Sequence, residues 1–183
     1  MDVFAVIDTE TNWNNELMSV GAVLADGDTM AMLDKRYYVL APEFTVGGIF
    51  GPSLFLPGFE DNPVTTRGQM VLDLTAFLKG AGAEHIFAYN AMFDRRLLPE
   101  LAGFHWYDIM RLAAYRQYND RIPPQAECCS TGRLRRDYGV EPMLRLLSGS
   151  SRYCETHNAL IDAMDELRIM QLLGHKPEKY IEL

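Results

Sequence analysis

The sequence predicts an α/β domain: a mixed central β-sheet flanked by α-helices. Two patterns and one bulk property carry that prediction. Three strand-like runs follow one another at short intervals near the N-terminus, as in an antiparallel meander. From about residue 65 the pattern changes, and short apolar strands alternate with segments of helical period. Of the 183 residues 48% are apolar, enough for one compact domain over 1–183 with its own core.

Taken in order, Val3 to Asp8 is a β-branched, aromatic-rich run that reads as a buried strand. Leu17 to Leu24 and Met30 to Leu40 read as the second and third strands, with Ala25-Asp26-Gly27-Asp28 as the turn between them. Residues 41–63 are rich in Gly, Pro and Phe and show no period, which predicts a long loop or insertion able to overhang a site. Met70, Leu74, Phe77 and Leu78 then fall at helical spacing, with Thr65 or Thr66 as the cap and Gly80 at the exit. His85 to Tyr89 reads as a strand, followed by a helix through Leu97, Leu98 and Leu101. A further strand is expected near Tyr107, with Asp108 capping a helix toward Tyr118 that Pro123-Pro124 breaks. Short helices are expected at Leu134 to Tyr138 and Pro142 to Leu147. The last helix carries Leu160, Met164 and Leu167 and stops at Gly174, before His175, Lys176 and Pro177.

The bulk properties exclude several classes. No run approaches the roughly 18 to 20 apolar residues of a membrane span, and Met1-Asp2-Val3 lacks the basic region of a signal peptide. Three cysteines, two of them adjacent at Cys128 and Cys129, form no metal-ligand spacing and no disulfide framework. A reduced, cytoplasmic setting follows. A net charge of −8 argues against a protein that coats long nucleic acids. The charge is uneven, however: Arg111 to Arg152 holds eight arginines against four acids. That stretch is either a solvated face or a phosphate-guiding rim.

The chemistry lies in scattered acids. In a strand, alternate side chains share a face, so Asp8 and Glu10 project together while Thr9 points away. Two carboxylates at the end of a buried strand are costly without a counter-charge. Asp94, in Tyr89-Asn90-Ala91-Met92-Phe93-Asp94, falls in the first turn of a helix, where the dipole alone favours an acid. His157 and Asp162 are five residues apart, about 140° around a continuous helix. A helix that starts at Asn158, a good cap, leaves His157 outside and free to swing toward Asp162. Histidine, with an ordinary pKa of about 6.5, suits a base that deprotonates water. Asp165 and Glu166 read as solvated acids, although Glu166 shares the helix face of Asp162. Tyr115, Tyr118, Trp106 and Phe104 read as core or interface.

In this order the motifs Asp8-Thr9-Glu10-Thr11, Tyr89 to Asp94 and His157 to Ala163 resemble those of the DEDDh family of 3′-to-5′ exonucleases. That family includes polymerase proofreading subunits, ribonuclease T and oligoribonuclease. The sister group carries tyrosine four residues before the last acid, where this chain has Asn158. The resemblance spans roughly Val3 to Leu173. Two regions depart from it: Asn12-Trp13-Asn14-Asn15, where the family commonly has Gly-Leu, and residues 41–63.

The resemblance implies a ribonuclease-H-like fold whose first three strands are antiparallel. It implies metal binding by Asp8, Glu10, Asp94 and Asp162, with His157 as general base. Two divalent cations, Mg²⁺ or Mn²⁺, would sit about 3.5 to 4 Å apart. Asp8 would bridge them, Glu10 and Asp162 would complete one shell, and Asp94 would support the other. The substrate would be a single-stranded DNA or RNA 3′ end, shortened to nucleoside 5′-monophosphates. Thr11, Trp13 and Phe93 are the candidates for gripping that end, Trp13 by stacking on a base. A homodimer or attachment to a larger nucleic-acid enzyme is a further expectation. The alternative is a partner-dependent end-binding or proofreading subunit with little activity alone.

Overall fold

The structure is a computed structural model that describes residues 2–58 and 64–183. Strands β1 (Val3–Thr11), β2 (Leu17–Asp26) and β3 (Met32–Leu40) form the antiparallel meander. Two parallel strands, β5 (His85–Ala88) and β6 (His105–Asp108), extend the sheet beyond β1. On the other edge β4 (Val64–Thr65) pairs in parallel with the end of β3, giving the order β4-β3-β2-β1-β5-β6. The sheet is therefore mixed, as the residue pattern predicts. β1 runs on past Asp8, so that Asp8 and Glu10 both lie within a paired strand.

The pleat divides the core into two layers. Phe4 and Val6 of β1 face α4 (Val140–Ser148) and α5 (Ala159–Leu173), packing among Leu144, Leu160 and Leu167. Ala5 and Ile7 face the opposite layer, built on Met70, Leu74 and Leu78 of α1 (Arg67–Gly80). Thr66 caps α1 by accepting from Gln69 N–H, and Trp106 is fully buried in the same layer. The close approach of α5 to the sheet depends on one residue. Gly21 lies directly opposite Asp8 in the β1–β2 register. A Cβ at Gly21 would stand 2.1 Å from Ala159 O and 2.3 Å from Leu160 N. Only a residue without a side chain lets the start of α5 descend beside Asp8.

Several predicted elements are shorter or absent. The helix after β5 is α2 (Met92–Leu97), not a run through Leu101. Pro99 forces Leu98 out of helical geometry, to φ −121° and ψ 57°, and a 3₁₀ turn follows over Pro99–Leu101. The helix after Asp108 is α3 (Met110–Ala113) and never reaches Tyr118, because buried Asn119 Nδ2 donates to Ala113 O at 2.6 Å. Leu134 to Tyr138 forms no helix. Leu134 N–H donates to Ala114 O and Arg135 N–H to Glu127 O, so distant strands of chain take the bonds a helix would need. Residues 41–58 are irregular, as expected, with 3₁₀ turns at Glu43–Val46 and Gly51–Ser53. The remaining residues of that segment, 59–63, lie outside the described residues. Among the described residues no helix is long and apolar enough to cross a membrane.

Candidate active site

The even-numbered side of β1 becomes acidic where the strand leaves the core. Asp8 and Glu10 continue the face of Phe4 and Val6, which is the face α5 covers. Gly21 allows Ala159 and Leu160 to lie against that face, so the first turn of α5 delivers Asp162 beside the two acids. Asn158 caps the helix, its side chain accepting from Leu160 and Ile161 N–H. His157 lies one residue outside with φ 56°, and its ring turns back toward Asp162. Donor atoms of Glu10, His157 and Asp162 all lie within 4.8 Å of one another. Asp94 enters from the first turn of α2 and is almost wholly buried.

The electrostatics of this cluster are severe. Burial, and then the charges of Glu166, Asp94, Glu10 and Asp162, push the Asp8 carboxyl well above its ordinary range. Burial and Asp162 raise Glu10 to about 9. Burial, Glu155 and Asp165 raise Asp162 to about 8. Asp94 rises to about 7, chiefly by burial, although the hydrogen bond from Thr9 opposes the shift. Like charges this close require protons or a cation. Two carboxylate oxygens, Asp8 Oδ2 and Asp162 Oδ1, are buried without a hydrogen-bond partner. Orphaned hard oxygens beside an imidazole are the donor set of a divalent cation such as Mg²⁺ or Mn²⁺, so the residues present fit the group.

Three members of the site were not anticipated. Thr9, on the far face of β1, donates from Oγ1 to Asp94 Oδ1 at 2.6 Å and fixes that carboxylate. Strand alternation places Thr9 away from Asp8, and α2 packs on that side. Glu155 is half-buried within electrostatic reach of Glu10 and Asp162, and its N–H donates to Glu141 Oε2 at 2.9 Å. Glu166 corrects the expectation of a solvated acid: it is 1% exposed and accepts from Tyr89 N–H at 3.0 Å. The i+4 spacing to Asp162 was the signal, because a helix lying on the sheet buries that whole face. Asp165 is also half-buried, accepting the Tyr153 hydroxyl.

The candidate end-gripping residues stand on three different parts of the chain. Thr11 ends β1 at a bulge. Trp13 is 63% exposed, with its N–H donating to Gly47 O at 3.0 Å. Phe93 is half-buried in α2 beneath the Arg96 guanidinium, 5.5 Å from the ring centroid. In the basic stretch, Arg133 lies 4.6 Å over Tyr138, and Arg136 pairs with Glu127 at 2.9 Å. Arg116 and Arg135 donate to the carbonyls of Ala126 and Cys128. Much of this cluster therefore stitches its own lobe together. Cys128, Cys129 and Cys154 are all unpaired.

No protein-family model matches the sequence, and no curated protein does. Solved structures do resemble the fold. The nuclease domain of 3′hExo, a DEDDh family member bound to rAMP, superposes with a TM-score of 0.69 at 17% identity, over 100% of this chain and 96% of that one. A 3′-exonuclease solved for 3′-end-specific recognition of a histone mRNA stem-loop gives 0.69 at 15% identity, over 100% of this chain and 70% of that one. Exonuclease X, in complex with 5′-overhanging duplex DNA, gives 0.54 at 20% identity, over 96% of both chains. This chain thus has the ribonuclease-H-like fold of those 3′-exonucleases.

Proposed function

We propose that this chain is a metal-dependent 3′–5′ exonuclease of the DEDDh kind, hydrolysing single-stranded nucleic acid from its 3′ end to nucleoside 5′-monophosphates. The observation that supports the reading is the gathering of Asp8, Glu10, Asp94 and Asp162 within electrostatic reach of one another, with His157 beside Glu10 and Asp162 and two carboxylate oxygens buried and unpaired. The fold neighbours support it: one is bound to rAMP and another holds overhanging DNA. They leave RNA and DNA ends both in view.

Asp8, Glu10 and Asp162 would hold divalent cations, two in the reading favoured here, with Asp94 supporting the second from its bond to Thr9. When bound, the cations supply positive charge against the negative charge that grows on the phosphate and the leaving 3′-oxygen. His157 would accept the proton of the attacking water at a ring nitrogen, a role its nearness to Glu10 and Asp162 supports. Trp13, exposed on the loop after β1, would offer a flat face to the terminal base, with Thr11 at the end of β1 and Phe93 beside Asp94 in α2 as the other candidates. The three unpaired cysteines support a reducing, cytoplasmic setting. Association with a second copy or a larger enzyme of nucleic-acid metabolism is part of the same proposal.

The test is digestion of 5′-labelled single-stranded DNA and RNA of matched sequence in Mg²⁺, Mn²⁺ or EDTA, with Asp8→Ala as control. A metal-dependent ladder shortening from the 3′ end, lost in the variant, is the expected result. Binding without shortening in either metal would instead favour an end-binding subunit that needs a partner.

A further inference from the structure

His157 keeps a left-handed backbone, φ 56°, which a residue with a Cβ retains only where its surroundings over-determine it. Three neighbours do so. The Ser53 hydroxyl donates to the His157 carbonyl. Asn158, the adjoining cap, donates from Nδ2 to Ser53 O at 2.8 Å. The Phe50 ring lies flat on the imidazole, with centroids 4.0 Å apart and planes 19° apart. Phe50 and Ser53 belong to the irregular 43–58 segment, which the motif pattern leaves without a role.

That segment is pinned elsewhere as well. Trp13 N–H donates to Gly47 O at 3.0 Å, Asn12 Nδ2 to Glu43 O at 3.0 Å, and Tyr37 OH to Leu54 O at 3.1 Å. Gly48 lies so close to β1 that a Cβ would stand 2.9 Å from Thr11 O. Phe50 is thus carried on a braced strap rather than a loose loop. A stacked imidazole is held by its face, and its two nitrogens, in the ring plane, stay available. One of them lies in the group with the Glu10 and Asp162 oxygens.

We propose that Phe50 is a positioning residue for His157, holding the imidazole edge-on to the acidic cluster before substrate arrives. The proposal rests on the exonuclease reading. Phe50 acts through His157 alone, so its effect belongs in turnover and not in substrate binding, and an aromatic replacement preserves it.

The experiment is single-turnover and steady-state kinetics on an oligonucleotide, paired with NMR of the histidine ring protons. Phe50→Leu, which keeps apolar bulk without the flat face, is expected to lower kcat about 10-fold with KM unchanged within about two-fold, since small displacements of a catalytic group are costly. Phe50→Tyr is expected to restore the rate. In a His157→Ala background Phe50→Leu is expected to cost nothing further. The His157 ring protons are expected upfield in the wild type and Phe50→Tyr, and unshifted in Phe50→Leu. Phe50→Met repeats the test should Phe50→Leu not fold. A Phe50→Leu enzyme with wild-type kcat overturns the proposal, as does an equal loss with and without His157. A wild type that leaves oligonucleotides whole despite the upfield shift overturns the exonuclease reading, and the positioning role with it.

Discussion

At the scale of single residues, the proposed site divides into side chains that would meet a cation and phosphate and side chains that hold those in place. Asp162→Asn removes charge from the buried oxygen without changing shape, and is expected to abolish metal-dependent digestion. His157→Ala is expected to cost about 10² to 10⁴ in kcat, the usual worth of a general base. An ordered loss, with the acid far worse than the histidine, is the outcome that fits these roles. Glu166 belongs to the holding set and tests the electrostatics separately. Its carboxylate accepts from Tyr89 N–H while facing Asp8, so it adds charge to a cluster already short of counter-charge. Glu166→Gln keeps an acceptor for Tyr89 and removes the charge; thermal stability should hold or rise without metal, and Mn²⁺ affinity by calorimetry should fall. Glu166→Leu leaves a buried N–H unpaired, and a destabilisation of about 1 to 3 kcal/mol is expected in denaturant melts. Equal stability of the two variants would contradict the assignment of that bond.

At the scale of elements, the site exists because α5 lies on the meander without a side chain between them. Gly21→Ala puts a Cβ 2.1 Å from the Ala159 carbonyl, a collision of backbone with side chain that no rotamer relieves. A loss of about 3 kcal/mol or more is expected, with weaker Mn²⁺ binding in whatever remains folded, since the Asp162 turn must lift away from Asp8. Asn158→Ala removes the cap and the bond to Ser53 together, for about 1 kcal/mol or more. Legibility follows the same lines. The meander, α1, α4 and α5 could be read because each has its own period and its own stop signal, down to Thr66, Asn158 and Gly174. The five motif positions were legible as candidates because each motif is a short local string, and the fold brings Glu10, His157 and Asp162 together; their roles are the proposal above. Gly21 was silent, since its meaning lies in a helix 138 residues further on. Thr9 lies on the face that strand alternation predicts, but its bond to Asp94 was silent because alternation does not reveal what packs on the other face. The lobe from Tyr115 to Tyr138 was unreadable for a related reason: Leu134 and Arg135 bond to the backbone of Ala114 and Glu127, and Asn119 folds back on Ala113, so local propensity loses to those partners.

At the scale of the whole molecule, the cluster makes stability depend on pH in a direction opposite to most acids. Unfolded carboxyls titrate near 4, whereas in the fold Asp94 rises to about 7, Asp162 to about 8 and Glu10 to about 9. Between those limits the native chain holds protons that the unfolded chain has released, so stability falls as pH rises. The contribution is complete below about pH 4 and exhausted once the pH passes about 9. The net charge of −8 adds general self-repulsion of the same sign. A divalent cation bound there would reverse the slope, because it would take the place of the protons and bind more tightly as they leave. In EDTA the melting temperature is therefore expected to fall by about 5 °C or more between pH 6 and pH 9. Saturating Mn²⁺ is expected to raise it more at pH 8 than at pH 6. Glu10→Gln with Asp162→Asn removes two of the raised carboxyls, and should flatten both trends while the background from net charge remains. A metal-free protein whose melting temperature held steady or rose from pH 6 to pH 9 would mean that these acids are not gathered and buried as the fold places them.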